Sequence, residues 1–191
     1  MANVLVVHGS PRKGGNSSML ADAFIEGAEA SGNKVTRLDV GNLHINGCMA
    51  CEYCFSHHGE CCQQDAMQEL YPQMKGKDII VYAFPMYYYT YPAQIKAFMD
   101  RMFCAVGNPG MFGFKKTALL LCFEDKDITT ADGLVQSFRI AANYCKQEII
   151  GEVLVNAVYE KGAIAGNPGL EKARKLGASI ELDCTSGNCT S

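Results

Sequence analysis

The chain has 191 residues, 48% apolar and 19% charged, with a formal net charge of −3 and ten cysteines. That length suits a single domain with a proper core, and the composition is ordinary for a soluble globular protein. The charge leaves no basic field for nucleic acid or an anionic membrane, no apolar run approaches a membrane span, and residues 1–9 lack the basic start and length of a signal peptide. The chain therefore reads as cytoplasmic, where cysteine at this density points to metal or redox chemistry.

Apolar runs and helix-periodic segments alternate along the whole chain. The pattern predicts strands over 3–8, 34–40, 78–84, 116–123 and 149–158. Helices are expected over 17–30, 65–75, 92–103, 132–147 and 168–182, the third opened by Pro92 in its first turn. Met67, Leu70 and Met74 share one side of the second helix. Five strands alternating with five helices imply an α/β fold, a doubly wound parallel sheet with helices on both faces and right-handed crossovers. No repeat or linker is visible, so residues 1–183 read as one domain with a Cys-rich insertion at 41–64, and 184–191 as a polar, mobile tail.

Ligands of such sheets bind beyond the carboxyl ends of the strands, which singles out the loops after the first, third and fourth. The first is Gly9-Ser10-Pro11-Arg12-Lys13-Gly14-Gly15-Asn16-Ser17-Ser18, leading from a buried strand onto a helix N-terminus. Unpaired N–H groups and the helix dipole make that junction favourable for an anionic phosphate. Neither the G-x-G-x-x-G nor the Walker A spacing is present. The hydroxyls, the Asn16 amide and the Arg12 guanidinium suit a terminal monophosphate held without a metal ion. The plainer alternative is a turn in which Ser17 only caps the helix.

The third strand ends in Pro85-Met86-Tyr87-Tyr88-Tyr89-Thr90-Tyr91-Pro92, four tyrosines between two prolines. Aromatic faces stack on a flat heterocycle, contributing about 0.5–1.5 kcal/mol beyond area burial. Core or interface filling is the competing role. Glu124, after the fourth strand, either approaches such a ring or is a solvated loop acid. Lys96, Asp100 and Arg101 can form an exposed, salt-bridged helix face of little consequence.

The first loop, then Pro85-Met86-Tyr87, then Ile95-Lys96-Ala97-Phe98-Met99-Asp100-Arg101, resembles the flavodoxin-like NADPH-dependent FMN reductase family, and within it the iron–sulfur flavoprotein branch. The resemblance runs from about Met1 to Met102 and resumes at 163–177. It implies a five-stranded flavodoxin-like fold with FMN at the strand ends. By position, Ser10, Arg12, Asn16, Ser17 and Ser18 would hold the phosphate. Pro85, Met86, Tyr87, Tyr88 and Tyr89 would line the ribityl chain and ring. A homodimer or homotetramer, with the flavin near a subunit interface, is also implied. Gln64-Asp65-Ala66-Met67 departs from the family, where two consecutive acids often precede the methionine; the departure touches a helix start only.

Cys104, Cys122 and Cys145 sit singly in apolar surroundings and read as core filler. Cys48, Cys51 and Cys54 are spaced three apart, with Cys61 and Cys62 close behind. Successive C-x-x-C turns let three thiolates converge on one cluster, and Cys61 or Cys62 can complete a [4Fe–4S] site, with Cys61 preferred on spacing. Zinc with His57 and His58 is the rival, as are packed or redox-sensitive thiols without metal. The expected function is an FMN oxidoreductase with NAD(P)H as transient donor. Its acceptor would be a quinone, flavin, azo or nitro compound, or a ferredoxin-like protein. No catalytic acid or base is nominated, because the chemistry is the flavin's. A non-enzymatic electron carrier and a thiol redox sensor are the alternatives.

Overall fold

A computed structural model describes residues 1–181; Leu182 of the expected last helix, the tail 184–191, and Cys184 and Cys189 lie outside the described residues. The strands are β1 (Asn3–His8), β2 (Lys34–Asp39), β3 (Ile79–Pro85), β4 (Lys116–Cys122) and β5 (Glu148–Val155). They form one sheet in the order β2-β1-β3-β4-β5, every neighbouring pair parallel. The helices are α1 (Asn16–Ala30), α2 (Tyr53–Ser56), α3 (Met67–Met74), α4 (Ala93–Arg101), α5 (Asp132–Tyr144) and α6 (Pro168–Ala178). The fold is flavodoxin-like α/β, as expected, with α2 a short addition inside the Cys-rich insertion.

Side chains alternate across the sheet, so each strand feeds two cores. Leu5, Val7, Ile80, Tyr82, Leu119 and Leu121 join the core beneath α3, α4 and α5. Val4, Val6, Ile79, Val81, Ala118 and Leu120 join the one beneath α1 and α6. Both faces of β1 and β3 are covered, which is why these strands read as unbroken apolar runs. The α1–α6 seam is unusually close. A Cβ on Gly27 would lie 1.9 Å from the Arg174 carbonyl oxygen, and one on Gly177 would lie 2.1 Å from that of Phe24.

Several expected boundaries shift at helix and strand ends. Helix α4 stops at Arg101 and tightens into a 3-10 turn at Met102–Ala105. Helix α5 ends at Tyr144 and α6 at Ala178, and β5 ends at Val155. The residue capping α1 is Gly15, with Ser17 already inside the first turn, so capping is not the role of Ser17. Cys104 and Cys122 are buried as expected, whereas Cys145 is exposed, because α5 ends just before it. Arg101 also departs from expectation. Lys96 and Asp100 do form an exposed i,i+4 pair at 2.6 Å, but the Arg101 side chain is buried against Asp65.

Candidate functional site

Because the sheet is wholly parallel, the loops after β1, β3, β4 and β5 emerge along one edge. They enclose a cavity of about 470 Å³ lined by Ser10, Arg12, Gly15, Asn16 and Ser17, by Pro85 to Tyr88, by Cys122 to Glu124, and by Val158, Tyr159 and Lys161. That volume lies within the range of small-molecule and cofactor sites. One end is polar and cationic, the other aromatic and apolar.

Close backbone approach shapes the polar end. Gly41 lets the chain after β2 press on the loop, since a Cβ there would lie 2.3 Å from the Ser10 carbonyl. Gly15 opens the cradle itself, where a Cβ would meet the Arg12 carbonyl oxygen at 3.2 Å. The Ser10 hydroxyl oxygen accepts the Arg12 N–H at 3.2 Å. Arg12 reaches across to the loop after β5, its guanidinium carbon 5.5 Å from the Tyr159 ring centre. Asn16 is committed internally: its amide donates to the Glu160 carbonyl at 2.9 Å and its oxygen accepts from Gly162 N–H at 3.0 Å. It ties the phosphate-type loop to the β5–α6 loop.

Not every expected residue meets this cavity. Ser18 turns toward β2, where its hydroxyl accepts from Arg37 Nη2 at 3.0 Å. It lines a separate recess of about 330 Å³ with His8, Arg37, Asp39 and Asn42. Tyr89 is likewise outside and borders an adjoining surface recess with Met86, Tyr88 and Glu124. Tyr88 and Tyr89 occupy the left-handed region, φ 49° and 61°, at the tip of a tight turn closed by paired Tyr87–Thr90 backbone hydrogen bonds of 3.0 and 3.1 Å. Bulky residues adopt that conformation at a cost, here at the mouth of the site. The turn points Tyr88 outward, 96% exposed, while Tyr91 is buried in the core.

Tyr159 and Lys161 are lining residues that the sequence pattern did not single out. The only available signal was their position after the last strand, at the same carboxyl edge as the other loops. Cys122 forms part of the floor, and burial pushes its thiol up to about 12, so it stays neutral. His8 was also missed. It is 2% exposed at the end of β1, its Nδ1 2.8 Å from Asp39 Oδ1 and its Nε2 3.2 Å from Ser17 Oγ.

The five clustered cysteines do not line this cavity. Cys48, Cys51 and Cys62 are exposed, and Cys54 and Cys61 are half-buried against the α3–α5 core. Cys51 and Cys62 approach to 3.7 Å between sulfurs. The Tyr53 N–H and then the Cys62 thiol hold Cys51 below the usual thiol range, and the same contact raises Cys62. Among the described residues, no three His, Cys, Asp or Glu side chains converge as they would around a single metal ion. His57 and His58 are exposed, and His57 stacks on Tyr53 with ring centres 3.6 Å apart.

Comparison with known proteins gives the family and the fold. A family model described as NADPH-dependent FMN reductase matches residues 2–145. An iron-sulfur flavoprotein of Archaeoglobus fulgidus is 42% identical over 94 residues, 49% of this chain and 42% of that protein. The matched stretches span about half the length of such curated relatives. The fold is similar to that of an NAD(P)H:quinone oxidoreductase from Methanothermobacter marburgensis, with a TM-score of 0.72 at 15% identity over 95% of this chain and 97% of that one. An FMN-dependent NADH-azoreductase of Bacillus anthracis, solved in complex with FMN, gives a TM-score of 0.65 at 12% identity, covering 92% and 98%.

Proposed function

This chain belongs to the NADPH-dependent FMN reductase family, and from that membership we propose an FMN-dependent oxidoreductase that accepts reducing equivalents from NADH or NADPH and passes them on to an acceptor. The observation that carries this reading is the two-ended cavity at the carboxyl edge of the sheet. Its cationic end matches a phosphate and its aromatic end a flat ring.

In this reading residues 1–183 form one flavin-binding domain. Ser10, Arg12, Ser17 and Lys161 surround the phosphate, with Asn16 fixing the loop that carries Lys161. Pro85, Met86, Tyr87 and Tyr88 line the ring end, and Glu124 stands exposed at the rim. Bound FMN would supply hydride acceptance and release, so the protein's part is to bind, orient and shield the ring. The exposed tyrosine turn leaves room for a nicotinamide or a quinone-, azo- or nitro-type acceptor to dock over it.

The thiol-rich insertion suits a second redox centre. Cys48, Cys51, Cys54 and Cys61 would hold a [4Fe–4S] cluster, whose chemistry is single-electron transfer with a ferredoxin-like partner. The names of the relatives support this, and Cys62, in contact with Cys51, is the alternative fourth ligand. A homodimer or homotetramer in the cytoplasm completes the proposal.

One preparation tests it. Anaerobically purified protein is assayed for bound flavin, iron and acid-labile sulfide, and for NADH and NADPH oxidation with quinone, azo and flavin acceptors. Stoichiometric FMN with turnover supports the reductase, and no turnover with any acceptor refutes it. Equal iron in wild type and Cys54→Ser refutes the cluster.

A further inference from the structure

Strand register brings together a hydrogen-bonded chain that the flavin chemistry does not require. His8 and Asp39 are register partners at the ends of β1 and β2. Alternation turns His8 toward α1, where the first turn presents Ser17. The result is Asp39 Oδ1, 2.8 Å from His8 Nδ1, and His8 Nε2, 3.2 Å from Ser17 Oγ. His8 and Ser17 are each 2% exposed, and Ser17 lines the cavity that faces the phosphate.

Resting on the FMN-phosphate reading above, we propose that His8 is a positioning residue that takes up one proton when the phosphate binds, and so releases the Ser17 hydroxyl to donate to it. The polarity of the chain argues for this. The Asp39 carboxylate can only accept, so Nδ1 carries the hydrogen that faces it. In neutral imidazole Nε2 is then a bare lone pair, and the Ser17 O–H must point at it. Ser17 thereby offers the cavity only lone pairs, the wrong polarity for a phosphate dianion. A proton added at Nε2 makes the imidazolium the donor to Ser17 Oγ. The serine O–H then points toward the phosphate. The proton reaches Nε2 from the cavity by way of the Ser17 hydroxyl, which hands its own proton to Nε2 and takes up another from solvent, so that the net change is one N–H bond gained.

The surroundings hold His8 neutral until an anion arrives. Burial, and then the Arg37 guanidinium, lower its pKa, outweighing the opposing pull of Asp39 and Asp22. Arg37 comes from β2, with Nη2 3.2 Å from Nδ1, 2.8 Å from Asp39 Oδ1 and 3.0 Å from Ser18 Oγ. Asp22 belongs to α1 and pairs with Arg37. Arg12 and Lys13 of the loop border the recess beside His8. On β3 the register partner is the uncharged Ala83. A dianion at the loop is the missing charge that tips the balance. The Asn16 amide is already committed to Glu160 and Ser18 lines the other recess, so Ser17 is one of few side-chain donors facing the cavity.

The test is calorimetric titration of flavin-free full-length protein with FMN and with riboflavin, in phosphate-free buffers of different ionisation enthalpy. Above pH 7.5 the FMN phosphate is already a dianion, its second pKa being about 6. Wild type is expected to take up close to one proton more per FMN than His8→Gln. FMN affinity should weaken as pH rises from 7.5 to 9, approaching tenfold per pH unit, in wild type and not in His8→Gln. Riboflavin should show neither effect. Ser17→Ala, a small change that leaves His8 and Asp39 in place, should lose the extra uptake. Equal uptake in wild type and His8→Gln, or full uptake in Ser17→Ala, overturns the proposal while leaving FMN binding intact. Failure to bind FMN, or equal affinity for riboflavin, overturns the phosphate reading and this proposal with it.

Discussion

Asp65 and Arg101 clamp the base of the cysteine loop through a two-point ion pair, Nη1–Oδ2 at 2.5 Å and Nη2–Oδ1 at 3.2 Å, with both side chains 1% exposed. Asp65 also accepts the N–H of Asn46 at 2.9 Å and of Met67 at 3.0 Å. Arg101 Nη1 donates to the Asn46 carbonyl at 3.1 Å, and the Tyr71 hydroxyl donates to the Arg101 carbonyl at the same distance. The two ends of the segment carrying Cys48 to Cys62 are thus fastened to the end of α4.

Removing one partner of a buried pair strands the other charge, at a cost of about 3–5 kcal/mol. Asp65→Asn should therefore lower the urea midpoint sharply and expose the 48–62 segment to limited proteolysis. A loss below 1 kcal/mol would show that the clamp is dispensable.

Burial pushes the Asp65 carboxyl up, but the hydrogen bonds from Arg101, Asn46 and Met67 outweigh it and hold the pKa below the usual carboxylate range. The stabilisation is complete above the unfolded value of about 3.9 and is lost as pH falls toward the lower folded one. Thermal melts from pH 5 to 2.5 should show a steeper decline in wild type than in Asp65→Asn.

His8 has its folded pKa lowered by burial and Arg37, so the flavin-free protein is most stable above the unfolded value of about 6.5. As pH drops through that value, the unfolded chain binds the proton more readily and stability declines. Melting temperatures between pH 7.5 and 5 should fall in flavin-free wild type. The slope attributable to position 8 should vanish in His8→Gln.

Arg12→Ala removes a cation from the polar end of the cavity. A charge-assisted hydrogen bond contributes about 1.5–3 kcal/mol, or about tenfold to 150-fold in affinity. FMN should weaken by that factor and riboflavin should not, as read by fluorescence titration. An equal loss for both would move the phosphate away from Arg12.

The seam of α1 and α6 leaves no room for a methyl group at Gly177, where the obstacle is backbone. Overpacking typically costs about 1–3 kcal/mol, and backbone cannot yield as a side-chain tip does. Gly177→Ala should fall at the upper end in chemical denaturation, whereas Gly76→Ala, with open space but φ 68°, should show only conformational strain.

The order of strands and helices was legible because it depends on residues a few positions apart. A run such as Val4 to Val7 carries its meaning locally. The pairings of His8 with Asp39 and of Arg101 with Asp65 were not legible. Arg101 read as a surface charge because nothing within one helical turn reveals a carboxylate 36 residues earlier.

The chain's own pattern determined the α/β architecture and at which edge of the sheet the long loops would gather, since hydrophobic periodicity dictates which faces must be buried. Only the folded arrangement decided which polar groups face the cavity. It turned Ser18 and Tyr89 away, fastened Asn16 to the β5–α6 loop, and brought in Tyr159 and Lys161. Those outcomes depend on strand register and on the close approach of distant loops, which bring together residues that no local spacing relates.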